Sequence, residues 1–224
     1  TPFFNIMDGF LTTHTIENVL LPEAEMMKEF VGSPQEKLVN MMDPYHPIMS
    51  GVVQNQDSYM KGKIAQRAYT DKIKQSLVSS MEAFYKLTGR RYGLISTYEM
   101  DDAEYAIVGM GSMIETAEAA VGYLRKEKNI KVGIVHVTSF RPFPGEKLTE
   151  ALKHVRSISV LERMDNPLAE SNPLTIEIKA ALTDYIQRDE SGNIKIPKIY
   201  SGSAGLGSRD VRPDDIIAVV ENMI

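Results

Sequence analysis

Two glycine-bearing stretches and one arginine hold the residues best placed for chemistry. In "GMGS", Gly109 and Gly111 close an apolar run and Ser112 opens a helical pattern. Free N–H groups and the dipole at such a helix start can receive an anion. In "SGSAGLGSRD", Gly205, Gly207 and Ser208 allow positive φ and close backbone approach, and Arg209 follows to meet an acid or a phosphate. Arg141 in "SFRPFPG" offers a forked guanidinium for a carboxylate or phosphate. These eight positions are the candidate anion-binding or domain-interface residues. The pattern assigns no catalytic residue and no metal ligand.

Each position also has an architectural reading. "GMGS" is not a full dinucleotide fingerprint, because the third glycine of G-x-G-x-x-G falls on Ile114 and no P-loop lysine follows. Here the architectural reading outweighs the other: Gly109 and Gly111 make a tight turn, and Ser112 caps the helix with Glu115 at the capping-box position. Arg141 is expected to pair with Glu162 across neighbouring strand ends, and Glu162 with Arg163 reads as a local ion pair. The 201–213 loop suits docking on a neighbouring domain as well as it suits a ligand. Histidines 14, 46, 136 and 154 lack metal-ligand spacing. His136 reads as a core or interface residue, whereas His14, near Asp8 and Thr12, suggests a hydrogen-bonded cluster. No Ser-His-Asp or G-x-S-x-G arrangement occurs.

The elements that position these loops alternate. "GLISTYE", "YAIVGMGS", "KVGIVHVTSF", "SISVLER" and "PKIYSG" read as strands. Helices are expected over 113–126, 144–154 and 173–187, and from Pro213 onward. This alternation predicts an α/β domain over 93–224 with a parallel sheet and helices on both faces, its ligand edge lying beyond the carboxyl ends of the strands. Residues 1–21 are apolar and strand-like but too short to own a core. Residues 22–92 read as a connecting segment, punctuated by Pro and Gly, with short helices near 23–30 and 34–42. One helix is expected at 68–87, where Ile73, Leu77, Met81 and Phe84 recur, with Gly89 as its stop.

Composition excludes several chemistries. The 224 residues include no cysteine, which removes disulfides, thiolate nucleophiles and cysteine-held metal centres. No apolar run reaches the ~18 residues of a membrane span, and no secretory signal is visible, so the cytoplasm is expected. The net charge is −5. Residues 61–92 carry eight bases against Asp71 and Glu82, which raises nucleic-acid binding as a reading. The preceding 60 residues carry eight acids, so a helix docked on an acidic neighbour explains the bases better.

Several stretches in order, "PFFNIMDGFLTTH", "VVQNQDSYMKGKIAQRAY", "KLTGRRYGLISTYEMDDAEYAIVGMGSMIETAEAAVGYL", "GIVHVTSFRPFPGEKLTEAL", "VLERMDNPLAESNPL" and "YSGSAGLGSRDVRPDDIIAVVENM", resemble the pyruvate:ferredoxin (flavodoxin) oxidoreductase family over nearly the whole chain. The resemblance implies a large, usually dimeric enzyme. It decarboxylates pyruvate on thiamine diphosphate with Mg, passes electrons through [4Fe–4S] clusters to ferredoxin or flavodoxin, and releases acetyl-CoA from coenzyme A. It implies that residues 1–21 end the pyrimidine-binding domain. Residues 93–224 would then form a three-layer α/β/α domain like the C-terminal domain of transketolase, with a mainly parallel five-stranded sheet, one strand antiparallel. "GLISTYE" supplies the fifth strand in that scheme.

The family's cluster cysteines are absent, and its cofactor-activating glutamate, pyruvate-contacting residues and diphosphate site are expected outside this stretch. The chain is therefore expected to be an interior piece that binds no cofactor alone and serves assembly with the remaining domains. The alternative is a phosphate or coenzyme A-binding module using the 109–116 and 201–213 loops. A nucleic-acid-binding protein ranks last.

Overall fold

The computed structural model describes residues 3–9, 11–33, 35, 42–49, 51–188 and 196–224. The chain forms two compact units, one of residues 1–17 with 94–224 and one of residues 18–93. The expected helix near 34–42 lies largely outside the described residues.

In the first unit, Leu11–His14 makes a single helical turn, α1. No described residue of 3–21 is in a strand, so the strand-like reading of this segment is corrected. The apolar side chains of Phe3, Phe4, Ile6, Met7, Ile16, Val19, Leu20 and Leu21 are exposed. The second unit contains α2 (Ala24–Val31), α3 (Gln56–Thr70) and α4 (Ile73–Thr88). The single helix expected at 68–87 is thus two. The break falls at Asp71 and Lys72, whose N–H groups turn back to Arg67 and Tyr69 carbonyls. The periodic apolar residues Ile73, Leu77, Met81 and Phe84 all belong to α4, where they are half-buried, while α3 is exposed along nearly its whole length. Gly89 ends α4 as expected, at φ 72° with its N–H on the Tyr85 carbonyl. Phe30 of α2 meets Phe84 of α4 edge-on at 5.5 Å between ring centroids.

The α/β part comprises β1 (Ile95–Tyr98), β2 (Tyr105–Gly109), α5 (Met113–Lys128), β3 (Val132–Val137), α6 (Gly145–Leu152), β4 (Ser157–Glu162), α7 (Pro173–Arg188), β5 (Lys198–Ser203) and α8 (Pro213–Met223). The sheet order is β1-β3-β2-β4-β5, with β1 antiparallel to β3 and every other pairing parallel. The five-stranded mixed sheet and its one antiparallel strand are therefore as expected. Strands β2, β3 and β4 are covered on both faces and read as nearly continuous apolar runs. Alternate residues serve opposite layers. Ala106, Val108, Val135, Ile158 and Val160 pack with Leu148, Leu152, Leu174 and Ile178 of α6 and α7. Ile107, Ile134 and Leu161 pack with Ile114, Val121 and Leu124 of α5 and Ile216 and Val220 of α8. Each such side chain contributes about 2 kcal/mol on burial. The result is three layers, helices–sheet–helices, with β2 and β4 ending side by side at the edge where the candidate loops emerge.

Candidate functional site at the sheet edge

At the carboxyl end of β2, Gly111 adopts φ +77° and the chain enters α5. The anion at this helix start comes from the chain itself. Asp8 Oδ2 accepts the Ser112 N–H at 2.6 Å and the Ser112 hydroxyl at 2.5 Å. A Cβ on residue 111 would stand 2.6 Å from Asp8 Oδ2, so glycine is required for the approach as well as for the turn. The Ser112–Glu115 capping box does not form, because the Ser112 side chain makes no cap hydrogen bond and donates to Asp8 instead. Nor does Asp8 join a cluster with His14, whose Nδ1 lies 2.9 Å from Thr13 Oγ1.

Arg163, just past β4, completes this constellation. Its Nε stands 3.8 Å from Asp8 Oδ1, and its Nη1 donates to the Gly205 carbonyl at 3.5 Å. The Nε is buried without a hydrogen-bond partner among the described residues. Gly205 lies at φ +70°, and a Cβ there would meet Arg163 Nη1 at 2.6 Å. Burial pushes the Asp8 carboxyl up, but the two Ser112 hydrogen bonds, with the charges of Arg163 and His136, outweigh it and hold the group below its ordinary value. His136, half-buried on β3, is lowered by desolvation against the opposing pull of Glu115, Glu118 and Asp8.

Glu162 does not pair with Arg141 or Arg163. Its buried carboxylate accepts the Leu174 and Thr175 N–H groups at 2.7 and 3.0 Å and the Thr175 hydroxyl at 3.0 Å, capping α7. Two orphan helix N–H groups inside the protein hold the carboxylate, while Arg141 lies near solvent on Glu177 and Arg163 turns to Asp8. Asn172 ties the same loop together, donating to the Met164 carbonyl and Ser203 Oγ and accepting from Asn166 N–H. Arg141 instead stacks on Phe140 at 4.3 Å and pairs with Glu177 at 2.6 Å. At α8 the Asp215 carboxylate accepts the Arg212 N–H at 2.9 Å. Three helices that start at this edge thus carry carboxylates of the same chain.

The structure therefore brings Gly111, Ser112 and Gly205 together around Asp8 and Arg163, with Gly109 packed beneath on Ile114 and the Leu161 carbonyl. Arg141 stands apart, on Glu177. Gly207 and Ser208 take positive φ in a short 3₁₀ turn, and Arg209 is exposed without an ion pair to a described residue. Asp8 and Arg163 escaped the sequence reading as partners. The one available signal was a lone acid within an apolar segment.

A five-stranded mixed sheet with helices packed on both faces places this domain in the α/β class. Residues 103–216 match the model for "pyruvate:ferredoxin oxidoreductase core domain II", and residues 1–82 match the thiamine diphosphate-binding model of pyruvate flavodoxin/ferredoxin oxidoreductases. The chain belongs to the pyruvate:ferredoxin oxidoreductase family. It is 33% identical to a pyruvate-flavodoxin oxidoreductase of Klebsiella pneumoniae over 99% of this chain and 18% of that protein. It is 32% identical to the pyruvate synthase subunit PorA of Methanocaldococcus jannaschii over 99% of this chain and 54% of that subunit. A solved 2-oxoglutarate:ferredoxin oxidoreductase from Magnetococcus marinus is similar at 17% identity and a TM-score of 0.44, over 76% of this chain and 24% of that one. The chain thus spans about half the length of the archaeal subunit and under a fifth of the Klebsiella enzyme.

Proposed function

We propose that this chain is a docking and assembly part of a thiamine diphosphate-dependent enzyme. That enzyme oxidises pyruvate with coenzyme A to acetyl-CoA and CO2, and delivers the two electrons to ferredoxin or flavodoxin. The observation that carries the reading is the filling of the sheet edge by internal carboxylates. Asp8 and Glu162 take the helix starts of α5 and α7, where a phosphate or diphosphate would otherwise be held, and Asp215 in the first turn of α8 closes on the preceding Arg212 amide. The second support is the exposure of Phe3, Phe4, Ile6 and Met7 in one unit and of Val19, Leu20 and Leu21 in the other. Such apolar runs mark contact surfaces.

The residues present do not fit an iron–sulfur cluster. A chain without cysteine supplies no thiolate to an iron–sulfur cluster. Among the described residues no His, Cys, Asp or Glu group is arranged to hold a metal ion. In this reading thiamine diphosphate, its Mg, the clusters and the electron carrier are held by other parts of the enzyme. The enzyme works as a homodimer in the cytoplasm in this reading. No helix among the described residues is long and apolar enough to cross a membrane. The coenzyme A-module alternative would need the α5 start free, and Asp8 stands there.

The test is pyruvate-dependent dye reduction by the purified chain supplied with thiamine diphosphate, Mg and coenzyme A. The docking reading expects none. Turnover above the no-protein rate would overturn it.

A further inference from the structure

Within residues 3–9, every described side chain except that of Asp8 is exposed. The segment's apolar members therefore do not hold it to the α/β layers: Phe4 is 93% and Phe3 86% exposed. What holds it is a carboxylate 104 positions distant in sequence from its partner Ser112. The guanidinium of Arg163 faces the same carboxylate from the end of β4 and, among the described residues, has the Gly205 carbonyl besides.

We propose that Asp8 is an electrostatic latch: through Ser112 and Arg163 it fixes residues 3–9 at the sheet edge and sets the direction in which Phe3, Phe4, Ile6 and Met7 are presented. Asp8 is in this sense a positioning residue that touches no reacting atom. The physical case is one of anchoring by a single charge-assisted point. Two hydrogen bonds to an ionised acceptor, each stronger than a neutral bond, act at a helix start where the dipole favours negative charge. The geometry is selective. Oδ2 serves both Ser112 donors while Oδ1 is turned to Arg163, so a neutral amide at position 8 loses the attraction to the guanidinium, and an alanine loses everything. Gly111 and Gly205 lack a Cβ where one would strike Asp8 or Arg163, so the backbone is shaped around the pair. Nothing in the latch contributes to the two hydrophobic layers, so opening it leaves the sheet and its helices assembled.

The proposal rests on the docking reading only for its purpose, since the apolar strip it orients is the strip that reading assigns to a partner surface. The absence of cysteine from the chain permits a direct test. Spin labels are placed at F4C and at A119C, an exposed position on α5, and their separation is measured by pulsed electron resonance. With Asp8 intact the distance distribution is a single narrow peak. With D8N or D8A added it broadens at least about twofold, with the α/β unit's circular dichroism unchanged. S112A, which keeps the amide donor, broadens it by less and decides the matter should both Asp8 variants fail to fold. A distribution already broad with Asp8 present, or one that stays narrow in D8A or S112A, overturns the latch. Failure of the docking reading would appear separately, as turnover by the isolated chain.

Discussion

Asp8 and Ser112 are joined by two hydrogen bonds through one carboxylate oxygen, 2.6 Å to the amide and 2.5 Å to the hydroxyl. This pair decides how the edge of the sheet is read. A helix start that could hold a phosphate instead holds a side chain of the same polypeptide, and the neighbouring starts follow suit.

The heaviest single contribution is expected at Glu162. Removing its carboxylate in E162A strands the N–H groups of Leu174 and Thr175 and the Thr175 hydroxyl in a buried place. A loss of about 2–4 kcal/mol is expected from such orphaned donors, read as a fall in the urea midpoint. A loss below about 1 kcal/mol would mean that water or Asn172 takes over the cap.

Two glycines of the 201–213 loop should separate space from backbone strain. G207A meets open space and has only positive φ to contend with, at 61°. Its expected cost is about 1 kcal/mol. G205A carries the same kind of strain and also presses a Cβ to 2.6 Å from Arg163 Nη1 and 3.1 Å from Val211. The larger loss of thermal stability is therefore expected in G205A. Equal losses would place Arg163 in a freer setting than the one described.

At the sheet edge, acid should act through Asp8 and His136 with the same sign. Asp8 is lowered in the folded state, so its stabilisation is whole above the ordinary carboxylate value, about pH 4, and is lost as pH falls through the folded value. His136 is also lowered, so the unfolded chain takes its proton first. The contribution of neutral His136 is whole above about pH 6.5 and declines as pH falls further. Thermal melts against pH should show the slope near pH 6 flattened in H136Q and the acid limb flattened in D8N. Unchanged limbs in both variants would contradict these assignments.

Arg141 should matter little. Its pair with Glu177 is near solvent, with 59% of the Arg141 side chain exposed, and such pairs contribute about 0–1 kcal/mol. R141A is expected to melt within a few degrees of the parent chain. A drop several times larger would give this loop a structural weight that its exposure does not suggest.

The sheet was readable because its signals are local. "YAIVG", "VGIVHV" and "SISVLE" are apolar runs of strand length, each followed by a helical period, and Pro213 and Gly89 mark a helix start and a helix stop at the expected places. What could not be read was pairing across the chain. Ser112 carries the local form of a helix cap, yet a residue 104 positions away supplies a stronger acceptor. Glu162 stands beside Arg163 in sequence, but successive residues on a strand point to opposite faces, so one turns to α7 and the other to Asp8. The α3–α4 break was hidden for another reason: α3 is exposed along nearly its whole length and lacks the half-buried face of α4, so no period marked where it ended.

The central claim, that the edge of this domain is filled by its own carboxylates and serves docking, is tested most directly by titrating coenzyme A into the purified chain in a calorimeter. The account predicts no saturable heat up to millimolar ligand. A one-to-one isotherm that D8N strengthens would contradict it, showing that the edge is a phosphate site that Asp8 merely obstructs.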